Sequence, residues 1–133
     1  MESIPSVLSF LICDMIIIEA GTGKKSIVGV FDTMYAHGEP GWSRIGVYAR
    51  LTDMEGAYKF TIRLVHLGDQ EELIAWVETP ENRVDDRLAM VEIALNLPPV
   101  RFPKLGRYEF QLFANDIYMG RATLNVVQME VSK

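Results

Sequence analysis

A glycine-rich stretch, two histidines, one cysteine, three groups of carboxylates and four dispersed aromatics are the residues of this chain that could do chemistry. Gly21-Thr22-Gly23-Lys24-Lys25-Ser26 invites comparison with a phosphate-binding loop. That loop needs a glycine, four residues, Gly-Lys and a hydroxyl residue, followed by a helix whose first amides face the phosphate. Here Ile18 stands at the first glycine position, Lys25 replaces the magnesium-holding hydroxyl, and the following Ser-Ile-Val-Gly-Val-Phe reads as a strand. A hairpin turn carrying two solvated lysines accounts better for the stretch.

His37 and His66 are the only histidines, and with Cys13 they fall short of the three or four ligands a zinc site requires. No serine is placed beside either histidine to suggest a nucleophile, so both read as surface or structural residues. Cys13, between Ile12 and Asp14 in an apolar run, reads as a small buried hydrophobe. Asp53 and Glu55, Asp69 with Glu71 and Glu72, and Glu81 with Asp85 and Asp86 gather in turns. None of these runs has the alternating oxygen-ligand spacing of a calcium loop, so they read as solubilising charge. Trp42, Tyr48, Trp76 and Tyr118 could form a stacking platform for a sugar or a peptide; packing on a sheet is the competing account. The sequence therefore assigns no catalytic, cofactor-binding or metal-binding residue, and the chain is not expected to be an enzyme.

The elements that position these residues follow from composition and periodicity. The chain has 133 residues, 49% of them hydrophobic and 23% charged, enough for one folded domain over 1–133 with its own core. A net charge of −5 without a basic cluster argues against nucleic acid, whose phosphates supply much of that affinity, and against an anionic membrane surface. One cysteine permits no internal disulfide, which fits a reducing cytoplasm. The apolar run Val7–Ile18 is shorter than the roughly 20 residues that cross a bilayer, has no basic residue before it, and is interrupted by Asp14, so it reads as core.

Short runs rich in Val, Ile, Tyr and Phe, punctuated by Gly, Pro, Asp and Asn, are the pattern of a sandwich or barrel. The spacing predicts strands over 7–18, 26–34, 44–51, 58–64, 72–78, 88–97, 108–114 and 118–127. For 85–96 a helix is the rival, since Asp85 or Asp86 could cap it. Residues 36–43 and 79–86 read as loops, the second as a mobile one. Asn115-Asp116 suits a tight hairpin turn. Gly106-Arg107-Tyr108 resembles the tyrosine corner of immunoglobulin-like sandwiches, in which a buried tyrosine hydroxyl bonds backbone a few residues upstream. The first two strands are apolar on both faces. That predicts a covered second face, and hence a homodimer through the N-terminal hairpin.

Cys13-Asp14, Gly21 to Lys24, Gly29 to Asp32, Tyr48 to Leu51 and Gly106 to Phe110 together resemble an uncharacterised bacterial family of small β-sandwich proteins, a domain of unknown function. The resemblance implies the fold and no activity. The expectation is an all-β, single-domain antiparallel sandwich of about eight strands, immunoglobulin-like, cytoplasmic and homodimeric. Its role would be that of a non-catalytic structural or protein-interaction module whose further partner the sequence does not name. The alternative is a small-ligand module for a sugar or peptide on the outward aromatics; a hydrolase, needing His37 or His66 beside a serine or Cys13, ranks last.

Overall fold

The computed structural model describes residues 4–36 and 41–129. In chain order the strands are β1 (Ser6–Ile18), β2 (Lys25–Val30), β3 (Thr33–Ala36), β4 (Trp42–Ser43), β5 (Gly46–Thr52), β6 (Gly56–Tyr58), β7 (Phe60–Leu67), β8 (Glu71–Glu78), β9 (Asn82–Val84), β10 (Val91–Asn96), β11 (Val100–Arg101), β12 (Gly106–Ala114) and β13 (Ile117–Gln128). The described residues contain no helix, so the all-β expectation holds. The count of eight was too low. The additional strands are two to four residues long, too short to carry a visible alternation, and one expected strand divides in two.

Two sheets, ordered β10-β5-β1-β2 and β3-β13-β12-β7-β8, form the body, with the short pairs β4–β11 and β6–β9 beside them. Their inner rows are the alternating positions of the sequence: Val47, Ala49 and Leu51 of β5, Ile62 and Leu64 of β7, and Tyr108, Phe110, Leu112 and Ala114 of β12 are all buried in one cluster. The expected strand 26–34 breaks at Phe31-Asp32. Its first part, β2, pairs antiparallel with β1, and its second part, β3, pairs parallel with β13 in the other sheet. One stretch of chain thus joins the two sheets along a flank. At the opposite flank lie the edge strands β10 and β8.

Within 85–97 there is no helix: Arg87-Leu88 make a turn, and the strand begins at Val91 rather than Leu88, with β10 paired along β5 from Val91↔Leu51 to Asn96↔Gly46. The segment 79–86 is not a free loop: Asn82–Val84 pairs with β6, and Val84 is buried.

The tyrosine expected to turn a corner does so. The Tyr108 hydroxyl donates to the Lys104 carbonyl (2.6 Å) and accepts the Lys104 N–H (3.0 Å), with the ring fully buried. A second such corner escaped the sequence reading. Tyr58 accepts the Glu55 N–H (3.0 Å) and donates to the Glu55 carbonyl (3.1 Å). Both tyrosines follow a Gly-x, Gly56 and Gly106, whose φ angles of 130° and 115° a side chain would resist. Gly56-Ala-Tyr-Lys-Phe60 and Gly106-Arg-Tyr-Glu-Phe110 are related by a local two-fold, because β7 and β12 pair antiparallel about Ile62↔Leu112. At the hairpin tip Asn115 (φ 48°) and Asp116 (φ 66°) adopt the left-handed backbone that a two-residue turn needs. The Asn115 side chain also accepts the Lys59 N–H (2.9 Å) and donates to the Ala57 carbonyl (2.9 Å), fastening the tip to the first corner.

Candidate functional site

Gly21 and Gly23 take positive φ in the turn between β1 and β2, and the Gly23 N–H donates to the Glu19 carbonyl (3.0 Å). This is the hairpin turn expected from the failed phosphate-loop match. What surrounds it was not legible. Ser9, Arg50 and Glu92 share one level across β1, β5 and β10. A straight β1 would carry Ile18 about nine residues, roughly 30 Å, beyond that level at ~3.3 Å per residue. Yet Lys25, paired with Ile18, places Nζ 2.9 Å from Glu92 Oε1. The β1–β2 ribbon therefore leaves the sheet after Cys13 and swings across β5 toward β10.

Three residues make that crossing. Gly46 has no side chain where the ribbon passes; a Cβ there would meet Cys13 Sγ at 2.9 Å and Ile16 Cγ1 at 3.3 Å. Asn96 then receives the ribbon: its Oδ1 accepts the Ile16 N–H (2.8 Å) and its Nδ2 donates to the Ile16 carbonyl (2.9 Å). Farther along, Glu92 is held by Lys25 and by the Tyr48 hydroxyl, which donates to Oε2. The bonds from Tyr48 and then Lys25 hold the Glu92 carboxyl below its ordinary range, while burial and the same carboxylate push the Tyr48 phenol up. Ile16 is buried by this docking. The row on the ribbon's other side, Met15, Ile17, Val28 and Val30, remains 40–62% exposed.

Cys13 is buried beneath the crossing, its thiol directed at the Met15 and Gly46 carbonyls (3.4 and 3.6 Å). Burial first, and Asp14 second, push its thiol up, away from the thiolate that nucleophilic chemistry needs. Asp14 and Asp32, which would be costly if buried unpaired, are both exposed. His66 lies in the other sheet. Its Nε2–H donates to the Leu105 carbonyl (3.0 Å) and its ring stands edge-on to Tyr108 at 4.8 Å, so it braces the second corner. Gly106 provides the room, since a Cβ there would sit 3.2 Å from His66 Nε2. His37 lies outside the described residues.

The carboxylates disperse rather than converge. Asp53 accepts the Ser6 hydroxyl (2.7 Å), Glu72 pairs with Lys104 (2.9 Å), Asp85 pairs with Arg83 (2.9 Å), and Asp86 accepts the Leu88 N–H (2.9 Å). Among the described residues no group of three or more His, Cys, Asp and Glu is placed to hold a metal ion.

The four aromatics separate into three places. Tyr48 belongs to the ribbon's anchor. Tyr118 stands edge-on to Phe113 (5.7 Å), whose ring also carries the Arg63 guanidinium at 5.7 Å. Trp42 and Trp76 converge: both line a pocket of about 440 Å3 at the open flank, between β8 and the extended segment Leu97 to Pro103. The arginine beside them is Arg101, opposite Trp42 in the β4–β11 pair. Ile62, Leu64 and Phe110 of the core form its floor.

With this geometry in place, the sequence comparison is decisive at one level. The chain belongs to the family of unknown function DUF6941. The match runs over residues 8–127, which take in the ribbon, the Asn96 clamp, the pocket and both corners. No curated protein matches the sequence. The uncharacterised family inferred from Cys13-Asp14, Gly21–Lys24 and Gly106–Phe110 is thus borne out, and DUF6941 membership fixes no reaction. Among the described residues no helix is long and apolar enough to cross a membrane.

Proposed function

We propose that the chain is a non-catalytic interaction module that pairs with a second copy of itself through the N-terminal ribbon. The observation that carries this is the row Met15, Ile17, Val28 and Val30. These four aliphatic side chains stand 40–62% exposed on a ribbon that is docked on the molecule through Ile16 and Lys25. Contiguous apolar surface of this kind is a mark of association. Among the described residues β2 is also an edge strand, its outer backbone groups unpaired by any strand. A two-fold axis beside β2 would bring the same four residues of both copies together, as an isologous interface requires. The groups that could do chemistry are otherwise engaged, Cys13 beneath the crossing and His66 against Leu105. A single buried thiol suits a reducing compartment such as the cytoplasm.

Sedimentation at micromolar concentration tests the reading. The expected species is a dimer, and Ile17→Glu with Val28→Lys should convert it to a folded monomer. A monomeric parent chain, or a dimer indifferent to these substitutions, would exclude it.

A further inference from the structure

The pocket at the open flank has no part in that interface and points to a separate activity. Two of its features are unusual for a sandwich flank. Trp42 and Trp76 are 69% and 61% exposed, although tryptophan is the residue with most to gain from burial. They stand over an opening whose floor is the core itself, at Ile62, Leu64 and Phe110. At about 440 Å3 the space lies in the range of small-molecule sites, which are largely apolar with a few placed polar groups.

The polar groups decide the class of ligand. Glu72 on the rim is matched by Lys104 at 2.9 Å, so its charge is locally balanced. Arg101 also lines the pocket and has no carboxylate partner among the described residues. Among the described residues the rim thus presents the Arg101 guanidinium without a matching carboxylate, directly across from Trp42. A guanidinium presents a planar fork matched to a carboxylate. The wall that carries Arg101 also runs through Pro98 and Pro99, which have no N–H to compete for that anion.

An extended peptide added to the free edge of β8 is the rival occupant. The pairing of β7 with β8 slips between Leu64 and Val65, leaving a bulge in β8 at Ile74, and the strand is bounded by Glu71, Glu72 and Glu78. Bulges and edge charges are the devices that prevent strand addition.

We propose that this flank pocket binds a small carboxylate with an apolar body, the carboxylate on Arg101 and the body against Trp42 and Trp76.

Trp42 and Trp76 are the only tryptophans of the chain, so its indole fluorescence reports from this pocket alone. Titration with 4-butylbenzoate at pH 7 should give a saturable change in that emission, at least tenfold tighter than with 4-butylbenzyl alcohol. Arg101→Gln should reduce the benzoate to the affinity of the alcohol and leave the alcohol unchanged, and Arg101→Lys should fall between. Thermal melts establish that each variant is folded, and the lysine variant stands in if the glutamine variant is not. The proposal is overturned by the absence of saturable change, by equal affinities in the parent chain, or by a preference that survives loss of Arg101. It is overturned equally if a capped Ala-Val-Leu-Val-Ala peptide binds more tightly than the benzoate.

Discussion

The side-chain amide of Asn96 makes to Ile16 both of the hydrogen bonds that a neighbouring strand would make. Its Oδ1 accepts the Ile16 N–H at 2.8 Å and its Nδ2 donates to the Ile16 carbonyl at 2.9 Å. β5 begins at Gly46 and its pairing with β1 ends at Cys13, so one amide group supplies the next rung.

Asn96→Ala removes both bonds, each with a net value of about 1 kcal/mol, and should lower stability by about 2 kcal/mol. Denaturant unfolding measures the loss. Hydrogen exchange locates it: the Ile16 amide should lose protection while those of β12 keep theirs, and uniform loss across both would contradict a local clamp.

At Gly46 an added methyl must displace Cys13 Sγ, 2.9 Å from the Cβ position. Overpacking of this kind costs ~1–3 kcal/mol. Gly46→Ala should therefore destabilise the chain, and less so in a Cys13→Ala background, which removes the sulfur. A double-mutant cycle measures this, and additive effects would place the strain elsewhere.

Acid should loosen the ribbon. Glu92 has its carboxyl held below the ordinary range by Tyr48 and Lys25, so its charged form is favoured by folding. A carboxyl depressed in this way adds stability above its unfolded value, near 4.3, and loses it as pH falls through the folded value. The side chains are partly exposed, so solvent screening keeps the contribution below about 1 kcal/mol. The parent chain should lose its advantage over Glu92→Gln below about pH 4, as measured by denaturant midpoints across pH; a constant difference would remove Glu92 from the account.

The two corners should behave alike. Tyr58→Phe and Tyr108→Phe each remove a hydroxyl that bonds a backbone N–H and carbonyl of one residue, Glu55 or Lys104. Each should cost about 1–2 kcal/mol while leaving the ring packing intact. A tyrosine whose loss of the hydroxyl is neutral would not be acting as a corner.

What could be read from the chain alone was whatever depends on alternation or on a local turn. Tyr108, Phe110, Leu112 and Ala114 bury as their period-two spacing requires, and Asn115-Asp116 turns because both residues accept positive φ. The double-sided apolarity of residues 7–18 was also legible, and it does mark a ribbon with one docked side and one exposed side. The swing of that ribbon was not. It depends on an asparagine at a strand end, which in sequence looks like any turn residue, and on Gly46, whose lack of a side chain matters only because Cys13 and Ile16 crowd over it. The pocket was half legible. Trp42 and Trp76 stood out by type, but Arg101 joins them through the two-residue pairing of β4 with β11, too short to leave a pattern. The first corner, Gly56-Ala-Tyr58, carries the same signal as the second and was passed over because its strand ends after three residues.

The passage of one strand from the first sheet into the second at Phe31-Asp32 gives the sandwich a spine and a fore-edge. Its two layers are tied again at the fore-edge, where the chain passes from β8 to β10 and from β10 to β12. A guest seated at that margin, where the tryptophans stand, would touch β8 and the 97–103 crossing at once and act as a clasp.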